Sequence, residues 1–326
     1  MDDGMVSGAT MAFAKYHGTG NDFVMLEDPS GRIELTQDLA AALCDRHFGV
    51  GADGLIRVAL PDVAVAAGFP QADGTDLFMD YRNADGSLAE MCGNGVRCLA
   101  KLAYERGLTD RTELAVATRG GTKRVWLDVD DAGTVRSVTV DMGRPSFRLG
   151  EIPMAGPEDD TFLARPFRWD GGELTATAVS MGNPHLVVFP RTDPDDIAVR
   201  TVGPALEHDP RFPYRTNVEF VVPVPDGIKV RVWERGVGET MACGTGACAA
   251  LVAAHLAGFA GRRARVHFPG GTLDLEWTEE GPVLMTGPAE RVFEGKIDTG
   301  RLLRVWQRRL DEPASQPAGA ATGARP

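Results

Sequence analysis

The sequence predicts an α+β fold made of two similar halves, each with a core helix wrapped by short strands. Many short segments alternate β-branched and polar residues between turn signals, among them RVWLDV, HLVVF and NVEFVVPV. Helical patterns are fewer. A cysteine that precedes Gly-x-Gly and a helical pattern occurs twice, in MCGNGVRCLA and in MACGTGACAA. The repeated motif is the main reason to predict a duplicated chain.

The composition is that of a soluble globular protein. Of the 326 residues, 43% are hydrophobic and 25% are charged, and no apolar run approaches the length of a membrane span. The net charge of −12 argues against nucleic acid as a partner, because phosphate binding needs a basic surface. The first residues lack the apolar segment of a signal peptide, and the odd number of cysteines indicates reduced thiols. We therefore expect a cytoplasmic protein with no membrane partner.

Three helices are predicted from their patterns. TQDLAAALCDRH is amphipathic, and Thr36 is a candidate N-cap. VRCLAKLAYERG begins at the first cysteine motif and ends at Gly107, whereas ACAALVAAHLAG begins at the second and ends at Gly258. The last segment is apolar on all sides and is too short for a membrane span at about eleven residues. It should therefore be a buried core helix.

The polar loops support the duplication and set the domain boundaries. Each cysteine follows a polar loop, YRNADGSLAE or WERGVGET, and each half contains an upstream asparagine loop, HGTGND or MGNPH. Two homologous halves of roughly 140 residues fit this pattern. We place the first half at 11–143 and the second at 144–288. Residues 1–10 are predicted to fray, and 311–326, rich in Pro, Ala and Gly, are predicted to be disordered.

The two cysteines that precede the glycine turns are the candidate reactive groups. A cysteine at a helix N-terminus can have its pKa lowered by the helix dipole and by unpaired backbone N–H groups. The glycines leave those N–H groups open to a small anion. A structural role is the commonest fate of a free thiol, and we favour it for Cys44, Cys98 and Cys248. The repeated placement favours function for Cys92 and Cys243.

Several other readings compete with a reactive thiol pair. Zinc sites use close pairs such as CxxC, whereas these cysteines form CxxxxxC and CxxxxC within helices. GTGACA matches the dinucleotide pattern GxGxxA, but a polar loop precedes it where that fold has a buried strand. A structural disulfide between the halves stays open, although it does not need the glycine cradles. A catalytically inactive binding protein is the alternative from another class.

Two thiols and two anion cradles suggest a reaction at a carbon that bears a carboxylate. A thiolate on one face of that carbon can take its proton, and a thiol on the other face can return one. The configuration of the carbon is then inverted. The cradles would stabilise the charge that develops on the carboxylate.

Long motifs identify a resemblance to the diaminopimelate epimerase family. KYHGTGNDF, DRHFGVGADG, YRNADGSLAEMCGNGVRC, VSMGNPH, RTNVEF and WERGVGETMACGTGAC occur in the order seen in that family, from about residue 11 to about residue 309. The related proline racemases and hydroxyproline epimerases typically carry histidine at the position of Asn94 and lack the ERGVGET loop. The phenazine-type isomerases lack the cysteine pair.

The resemblance implies a fold, an activity and an assembly. Each half would be a mixed, barrel-like sheet around a central helix. The last strand, at about 296–307 within the returning segment 289–310, would cross back to the first half. The implied reaction is a two-base epimerisation of LL- to meso-diaminopimelate in lysine and peptidoglycan synthesis, without cofactor or metal. Diaminopimelate would be the small-molecule partner, and the protein would form a homodimer.

The resemblance also assigns roles to individual residues. Cys92 and Cys243 match the two catalytic bases. Substrate binding is assigned to Asn21, Asn83, Gly93, Asn94, Asn183, Asn217, Glu234, Arg235, Gly244 and Thr245. His185 and Glu234 match residues that tune the two thiols. An arginine such as Arg235 can form paired hydrogen bonds with a carboxylate, which suits the distant, non-reacting end of the substrate.

The sequence departs from the family pattern at two kinds of position. Many members carry a substrate-contacting glutamine where this chain has Gly54. The segments 59–76 and 153–172 are longer than usual. We interpret both segments as surface insertions.

Overall fold

The computed structural model describes residues 10–311. The predictions of a frayed 1–10 and a disordered 311–326 therefore fall outside the described residues, except for Thr10 in the first strand and Asp311 in the last helix. The α-helices of the described chain are α1 Gln37–Cys44, α2 Pro61–Ala66, α3 Gly93–Glu105, α4 Val199–Glu207, α5 Gly244–Leu256 and α6 Thr299–Asp311.

Seventeen strands complete the described structure and form one continuous sheet. In the first part of the chain they are β1 Thr10–Gly18, β2 Asn21–Glu27, β3 Gly54–Ala59, β4 Leu77–Asn83, β5 Glu113–Ala117, β6 Lys123–Val129 and β7 Val135–Asp141. The others are β8 Arg165–Trp169, β9 Gly172–Ser180, β10 Pro184–Phe189, β11 Asn217–Val224, β12 Gly227–Glu234, β13 Gly238–Thr240, β14 Arg263–Phe268, β15 Gly271–Trp277, β16 Val283–Gly287 and β17 Glu290–Asp298.

The hydrogen bonding between strands repeats within the sheet. From β1 to β7, neighbouring strands pair in the order antiparallel, parallel, antiparallel, parallel, antiparallel, antiparallel. The series β9, β10, β11, β12, β14, β15, β16 pairs in the same order. β7 and β16 pair with each other and join the two series. The predicted α+β fold of two similar halves is confirmed.

One buried helix occupies the middle of each half. α3 contacts β1, β2, β3, β6 and β7, whereas α5 contacts β9, β10, β11, β12, β14 and β15. Eight consecutive residues of α5, from Ala247 to Ala254, are fully buried, as its apolar pattern predicts. Both helices end just before a glycine with positive φ, Gly107 at 71° and Gly258 at 77°. None of the helices described here is long and apolar enough to cross a membrane.

The prediction of an amphipathic helix with Thr36 as its N-cap is confirmed by α1. The hydroxyl of Thr36 accepts a hydrogen bond from the backbone N–H of Leu39, which satisfies one of the open donors of the first turn. The buried face of α1 packs on α6 and on the outer side of β2 and β3.

The returning strand lies earlier than predicted. β17 pairs antiparallel with β1, and the rest of the range 289–310 belongs to α6. Leu302, Leu303 and Trp306 are spaced for one face of a helix, and that face packs against the α1 cluster. The pairing of β17 with β1 corresponds to the pairing of β8 with β9 in the other half.

The two longer segments differ in burial. Residues 59–76 form α2 and a 3₁₀-helix, Pro70–Ala72, and lie mostly at the surface. The prediction of a surface insertion is wrong for part of 153–172. There β8 adds to β9, Phe167 is fully buried, and the guanidinium of Arg211 lies 3.4 Å from the centre of its ring.

Candidate active site

The two cysteine-capped helices meet at their N-termini. Cys92 is the N-cap of α3 and Cys243 is the N-cap of α5. A Cβ atom placed on Gly244 would lie 3.6 Å from Cα of Gly93, and one placed on Gly93 would lie 2.7 Å from Cε of Met285. Glycine at both positions therefore lets the two helix ends approach. The predicted cysteines and their glycines lie on the two sides of one site.

Amide groups surround Cys92. Its thiol donates to Oδ1 of Asn21 at 3.4 Å, and Nδ2 of Asn94 donates to the same oxygen at 3.3 Å. The guanidinium of Arg97 is fully buried and donates to Oδ1 of Asn94 at 3.0 Å. This bond fixes the orientation of the Asn94 amide, so Asn21 and Asn94 are positioned together beside the first thiol.

A longer polar network surrounds Cys243. The backbone N–H of Gly246 lies 3.4 Å from Sγ, and the hydroxyl of Thr245 lies 3.5 Å from it. Nδ2 of Asn183 donates to Oγ1 of Thr245 at 3.3 Å, and Oδ1 of Asn183 is 2.9 Å from Nε2 of His185. The structure thus brings Asn183, His185 and Thr245 together beside the second thiol.

The end of β12 supplies the remaining charged residues. The carboxyl of Glu234 interacts with the hydroxyl of Thr240 and with the thiol of Cys243. Oδ1 of Asn217 accepts from the backbone N–H of Arg235 at 2.9 Å. The guanidinium of Arg235 is exposed and donates to the carbonyl of Tyr214 at 3.3 Å. This guanidinium is therefore held by a backbone carbonyl and not by a carboxylate of the described residues.

Asn83 lies in a turn at the end of β4. Its side chain is exposed and donates to the hydroxyl of Ser87 at 3.0 Å. Asn83 pairs with the first residue of β3, Gly54. In the second half, Val218 pairs with Trp233, and Glu234 is the next residue along β12. Glu234 therefore lies at the end of β12 as Asn83 lies at the end of β4. Asn83 is thus the first-half counterpart of Glu234, although its own bond stabilises the turn.

Burial raises the pKa of both site thiols. For Cys92 burial raises the pKa to about 11, and the backbone N–H groups of Gly95 and Asn94 only partly offset this effect. For Cys243 burial, followed by the charges of Glu234 and Glu219, raises the pKa well above its ordinary value. The lowering expected at a helix N-terminus is outweighed, because Cys243 is buried and Cys92 is partly buried.

Known proteins resemble this chain over most of its length. The model of the diaminopimelate epimerase family matches residues 13–148 and 177–292. The chain belongs to the diaminopimelate epimerase family. It is 50% identical over 289 residues to the diaminopimelate epimerase of Pelotomaculum thermopropionicum, covering 88% of this chain and 98% of that one. The enzyme of Heliobacterium modesticaldum is 44% identical over 292 residues, with 88% and 99% covered.

Solved structures of more distant proteins share the fold of this diaminopimelate epimerase family member. A probable proline racemase from Agrobacterium radiobacter K84 is 14% identical with a TM-score of 0.65, covering 88% of this chain and 92% of that one. A hydroxyproline epimerase from Agrobacterium vitis is 17% identical with a TM-score of 0.62, covering 88% and 91%. At these identities the likeness concerns the fold alone.

The departure from the diaminopimelate epimerase pattern at Gly54 has a structural explanation. A Cβ atom on Gly54 would lie 2.6 Å from Cε2 of Tyr81 and 2.7 Å from the carbonyl oxygen of Arg82. The ring of Tyr81 therefore occupies the space next to the backbone where a larger side chain would begin. Burial, and then the charges of Cys92 and Glu234, raise the pKa of the Tyr81 phenol. Tyr81 thus lies beside the site.

Sequence reasoning missed Glu219 and Tyr81 as members or neighbours of the site. Arg97 was recognised beside the first motif but was interpreted as a structural or surface charge; it is fully buried. A signal for Glu219 was present in NVEFVV, because a strand places residues two apart on the same face. Glu219 therefore shares the face of Asn217 within an otherwise apolar strand.

Among residues 10–311, no group of three or more His, Cys, Asp and Glu side chains is arranged to hold a metal ion.

Proposed function

We propose that this chain interconverts LL- and meso-diaminopimelate, with Cys92 and Cys243 as the paired proton acceptor and donor. The curated relatives that carry the name diaminopimelate epimerase reach 50% identity and cover most of the chain. The observation that carries the proposal is the approach of the two helix ends at Gly93 and Gly244. This approach supports a single substrate carbon between two thiols.

The proposed reaction moves two protons. The thiolate of one cysteine takes the proton from the α-carbon, and the electron pair of that C–H bond passes into the substrate carboxylate. The thiol of the other cysteine then gives its proton to the opposite face of the carbon. One thiolate has become a thiol and the other thiol a thiolate, so charge balances and the roles exchange in the reverse reaction.

Backbone groups at the helix ends suit the negative charge of the intermediate. The first turns of α3 and α5 contain N–H groups without partners inside the helix. Gly93 and Gly244 keep side chains away from these groups. A carboxylate seated there would gain charge in the transition state, where fixed N–H donors stabilise it most. We assign this cradle to the reacting end of the substrate, together with Asn94 and Thr245.

Glu234 is the proposed proton partner of Cys243. Burial raises the pKa of its carboxyl, and the thiol of Cys243 contacts it. A carboxyl with a raised pKa exchanges protons with a thiol more readily than one that is fully exposed to water. We assign His185 to the same thiol, through Asn183 and Thr245.

The distal end of the substrate is assigned to the rim of the site. Arg235 is exposed and carries a fork of donors that matches a carboxylate. Asn217 holds the backbone of Arg235, and Asn21, Asn83 and Asn183 offer amide oxygens that suit an ammonium group.

Assembly and location are further parts of the proposal. We expect a cytoplasmic homodimer, and the five free cysteines are consistent with a reducing compartment. Sedimentation analysis should give about twice the chain mass of 34.9 kDa. A single species at the chain mass would contradict the dimer.

The direct test is incubation of the purified protein with LL-diaminopimelate, without added pyridoxal phosphate or metal. Chiral chromatography should show meso-diaminopimelate forming until the two isomers reach equilibrium. In heavy water the product should carry deuterium at the inverted carbon, since the donor thiol exchanges with solvent. The double variant Cys92→Ala/Cys243→Ala is the matched control. Absence of meso product from the folded wild-type protein would reject the function.

A further inference from the structure

Glu219 is a buried carboxyl group that the proposed reaction leaves without a role. It is fully buried in β11, and its Oε1 lies 2.7 Å from Nδ1 of His185. Its Oε2 has no hydrogen-bond partner among the described residues. A buried carboxylate with one unpaired oxygen is costly, and protonation removes most of that cost.

Four contacts connect Glu219 to the catalytic sulfur of Cys243. Along this chain of hydrogen bonds, Glu219 lies 2.7 Å from His185, and His185 lies 2.9 Å from Asn183. Asn183 lies 3.3 Å from Thr245, and Thr245 lies 3.5 Å from Cys243. The middle of the chain has a defined direction. Because Oδ1 of Asn183 can only accept, Nε2 of His185 must carry a proton, and Nδ2 of Asn183 then donates to Thr245.

The first and last hydrogen bonds of this series can also point toward the sulfur. The hydroxyl of Thr245 accepts from Asn183 and can give its own proton to Sγ of Cys243. If His185 is neutral with its proton on Nε2, Nδ1 is an acceptor and needs a donor. Among residues 10–311, Glu219 is the group in contact with Nδ1, and it supplies that donor when it is protonated. Every group in the chain then donates toward the sulfur.

We propose that Glu219 is protonated and is the first donor of a one-way chain of hydrogen bonds that stabilises the thiolate of Cys243. The proposal rests on the acid–base role proposed above for Cys243. Glu219 is a positioning residue, since it touches neither the reacting carbon nor the sulfur. No proton moves along the chain. Its effect is to hold the hydroxyl of Thr245 on the sulfur whenever the thiolate forms.

The charges around Glu219 are consistent with its protonation. His185, Glu234 and Cys243 are the titratable groups that face it. Burial raises the pKa of Glu219, and the neighbouring His185 only partly offsets this effect. A negative charge at Glu219 would raise the pKa of Cys243 and so oppose the thiolate. A neutral Glu219 keeps the hydrogen bond and removes this repulsion.

The first half of the chain shows that the fold itself does not need this polar pair. A Cβ atom on Gly246 would lie 2.7 Å from Oε1 of Glu219, and one on Gly95 would lie 2.6 Å from Cδ1 of Ile56. Ile56 therefore occupies, beneath α3, the place that Glu219 occupies beneath α5. An apolar side chain fills this position equally well, so the carboxyl of Glu219 serves something other than packing.

Nuclear magnetic resonance of the wild-type protein labelled with ¹⁵N-histidine tests the protonation state. The resonances of His185, identified by their loss in His185→Gln, should show a neutral ring with the proton on Nε2 and an acceptor at Nδ1. A doubly protonated ring would mean that Glu219 is a carboxylate and would overturn the proposal. This measurement needs no variant of Glu219.

A titration of Cys243 tests the stabilising effect. In a Cys92→Ala background, the ultraviolet absorbance of the thiolate is followed against pH for Glu219→Gln and Glu219→Leu, with Cys243→Ala as the blank. Glutamine keeps a neutral donor, so its midpoint should match that of Glu219. Leucine removes the donor, and its midpoint should rise by about one pH unit, a tenfold loss of thiolate at a given pH.

The control for packing is Ile56→Leu, the same position in the first half, which should leave the Cys243 midpoint unchanged. Equal midpoints for Glu219→Leu and Glu219→Gln would overturn the proposal. The titration does not depend on turnover. An inactive wild-type protein would therefore reject the proposed function while the hydrogen-bond chain is still tested.

Discussion

The two halves share their strand pairing and their helix-capping cysteines but differ in the residues around each sulfur. Beneath α3 the first half packs Ile56 and Phe23 against Gly95, whereas beneath α5 the second half packs Glu219 against Gly246. His185 pairs across β10 and β11 with Asn217, as Phe23 pairs across β2 and β3 with Gly54. The backbone is repeated, but the position beneath the central helix is apolar in the first half and carries a carboxyl group in the second.

The charged groups near the two site thiols also differ between the halves. Arg97, two residues after Gly95, places a buried cation beside Cys92 and lowers the pKa of that thiol. The corresponding position in α5 is Cys248, two residues after Gly246. The charge of Glu234 raises the pKa of both thiols, and the charge of Glu219 raises that of Cys243 further. The two thiols therefore have equivalent positions and different charged neighbours.

Removing either site cysteine should have the largest effect on activity. Cys92→Ala and Cys243→Ala should each lower kcat/KM by about 10²–10⁴-fold, because each removes one proton acceptor or donor that water replaces poorly. Initial rates from LL- and from meso-diaminopimelate, followed by chiral chromatography, measure the loss. The two halves would be unequal partners if one variant kept near wild-type turnover, and the two-base mechanism would then be wrong.

Cys98→Ala and Cys248→Ala are the matched controls. Both thiols are fully buried one to two turns into the helices, and the described contacts place neither beside the substrate cradle. Both variants should keep their activity, provided that circular dichroism shows a folded protein.

The second prediction concerns Arg235, which has no charged counterpart in the first half. The matching turn there continues from Asn83 to Ala84. Arg235→Ala should lower kcat/KM for diaminopimelate by about 30- to 4,000-fold, which corresponds to about 2–5 kcal/mol of transition-state stabilisation, because a distal carboxylate loses its paired charge. Thermal unfolding should hardly change, since the guanidinium is exposed. L-lysine, which lacks the distal carboxylate, should be a very poor substrate for the wild-type protein. Efficient racemisation of lysine would show that this carboxylate is not read.

Local patterns predicted the parts of the fold that local chemistry determines. Thr36, the glycines after α3 and α5, and the apolar residues of α5 each act within a few residues of themselves, so α1, α3 and α5 were found from sequence. The strand within 289–310 was placed too late because its edge-strand residues carry little apolar alternation. The helical spacing of Leu302 and Trp306 indicated α6 but was overlooked.

The site was predicted less completely than the fold because much of it depends on distant contacts. The cysteines and glycines were recognised from their motif and its repetition. Glu219 and Arg97 gain their roles from partners across the sheet, including Pro288, whose carbonyl accepts from Arg97 at 3.1 Å. The raised pKa values depend on burial, which no single motif encodes. For Cys92 the N-terminal position predicted the opposite direction.

The third prediction tests the buried cation of the first half. Arg97→Met keeps an extended side chain but leaves three acceptors without a donor: Oδ1 of Asn94, the carbonyl of Pro288 and Oγ1 of Thr19. The free energy of unfolding should fall by about 3 kcal/mol, since each buried acceptor left unpaired costs about 1–3 kcal/mol and some will find water. Urea unfolding measures this loss.

Arg97→Met should also raise the pKa of Cys92, because the guanidinium lowers it in the wild-type protein. Thiolate absorbance in a Cys243→Ala background measures that shift. Cys248→Ala, at the corresponding position of α5, should cost only about 1 kcal/mol. Equal losses of stability in the two variants would show that the buried guanidinium contributes no more than ordinary packing.

The last and smallest effect concerns the buried cysteine that each half carries inside its central helix, Cys98 in α3 and Cys248 in α5. Burial raises the pKa of Cys98 and of Cys248 to about 12, from an ordinary value of 9.0. The folded protein therefore keeps these thiols protonated at pH values where the unfolded chain releases the proton. Their contribution to stability is complete below pH 9 and is lost as the pH rises from about 9 toward 12.

At pH 10 each buried thiol should already have lost about 1.4 kcal/mol of its stabilising effect, one pH unit above the ordinary thiol value. Urea unfolding at pH 7 and pH 10 measures the change. Cys98→Ala and Cys248→Ala should each reduce the alkaline loss by that amount, and by the same amount in both halves, since burial is the main cause of both shifts. Unequal reductions would mean that the asymmetry of charge extends from the active site into the helix interiors.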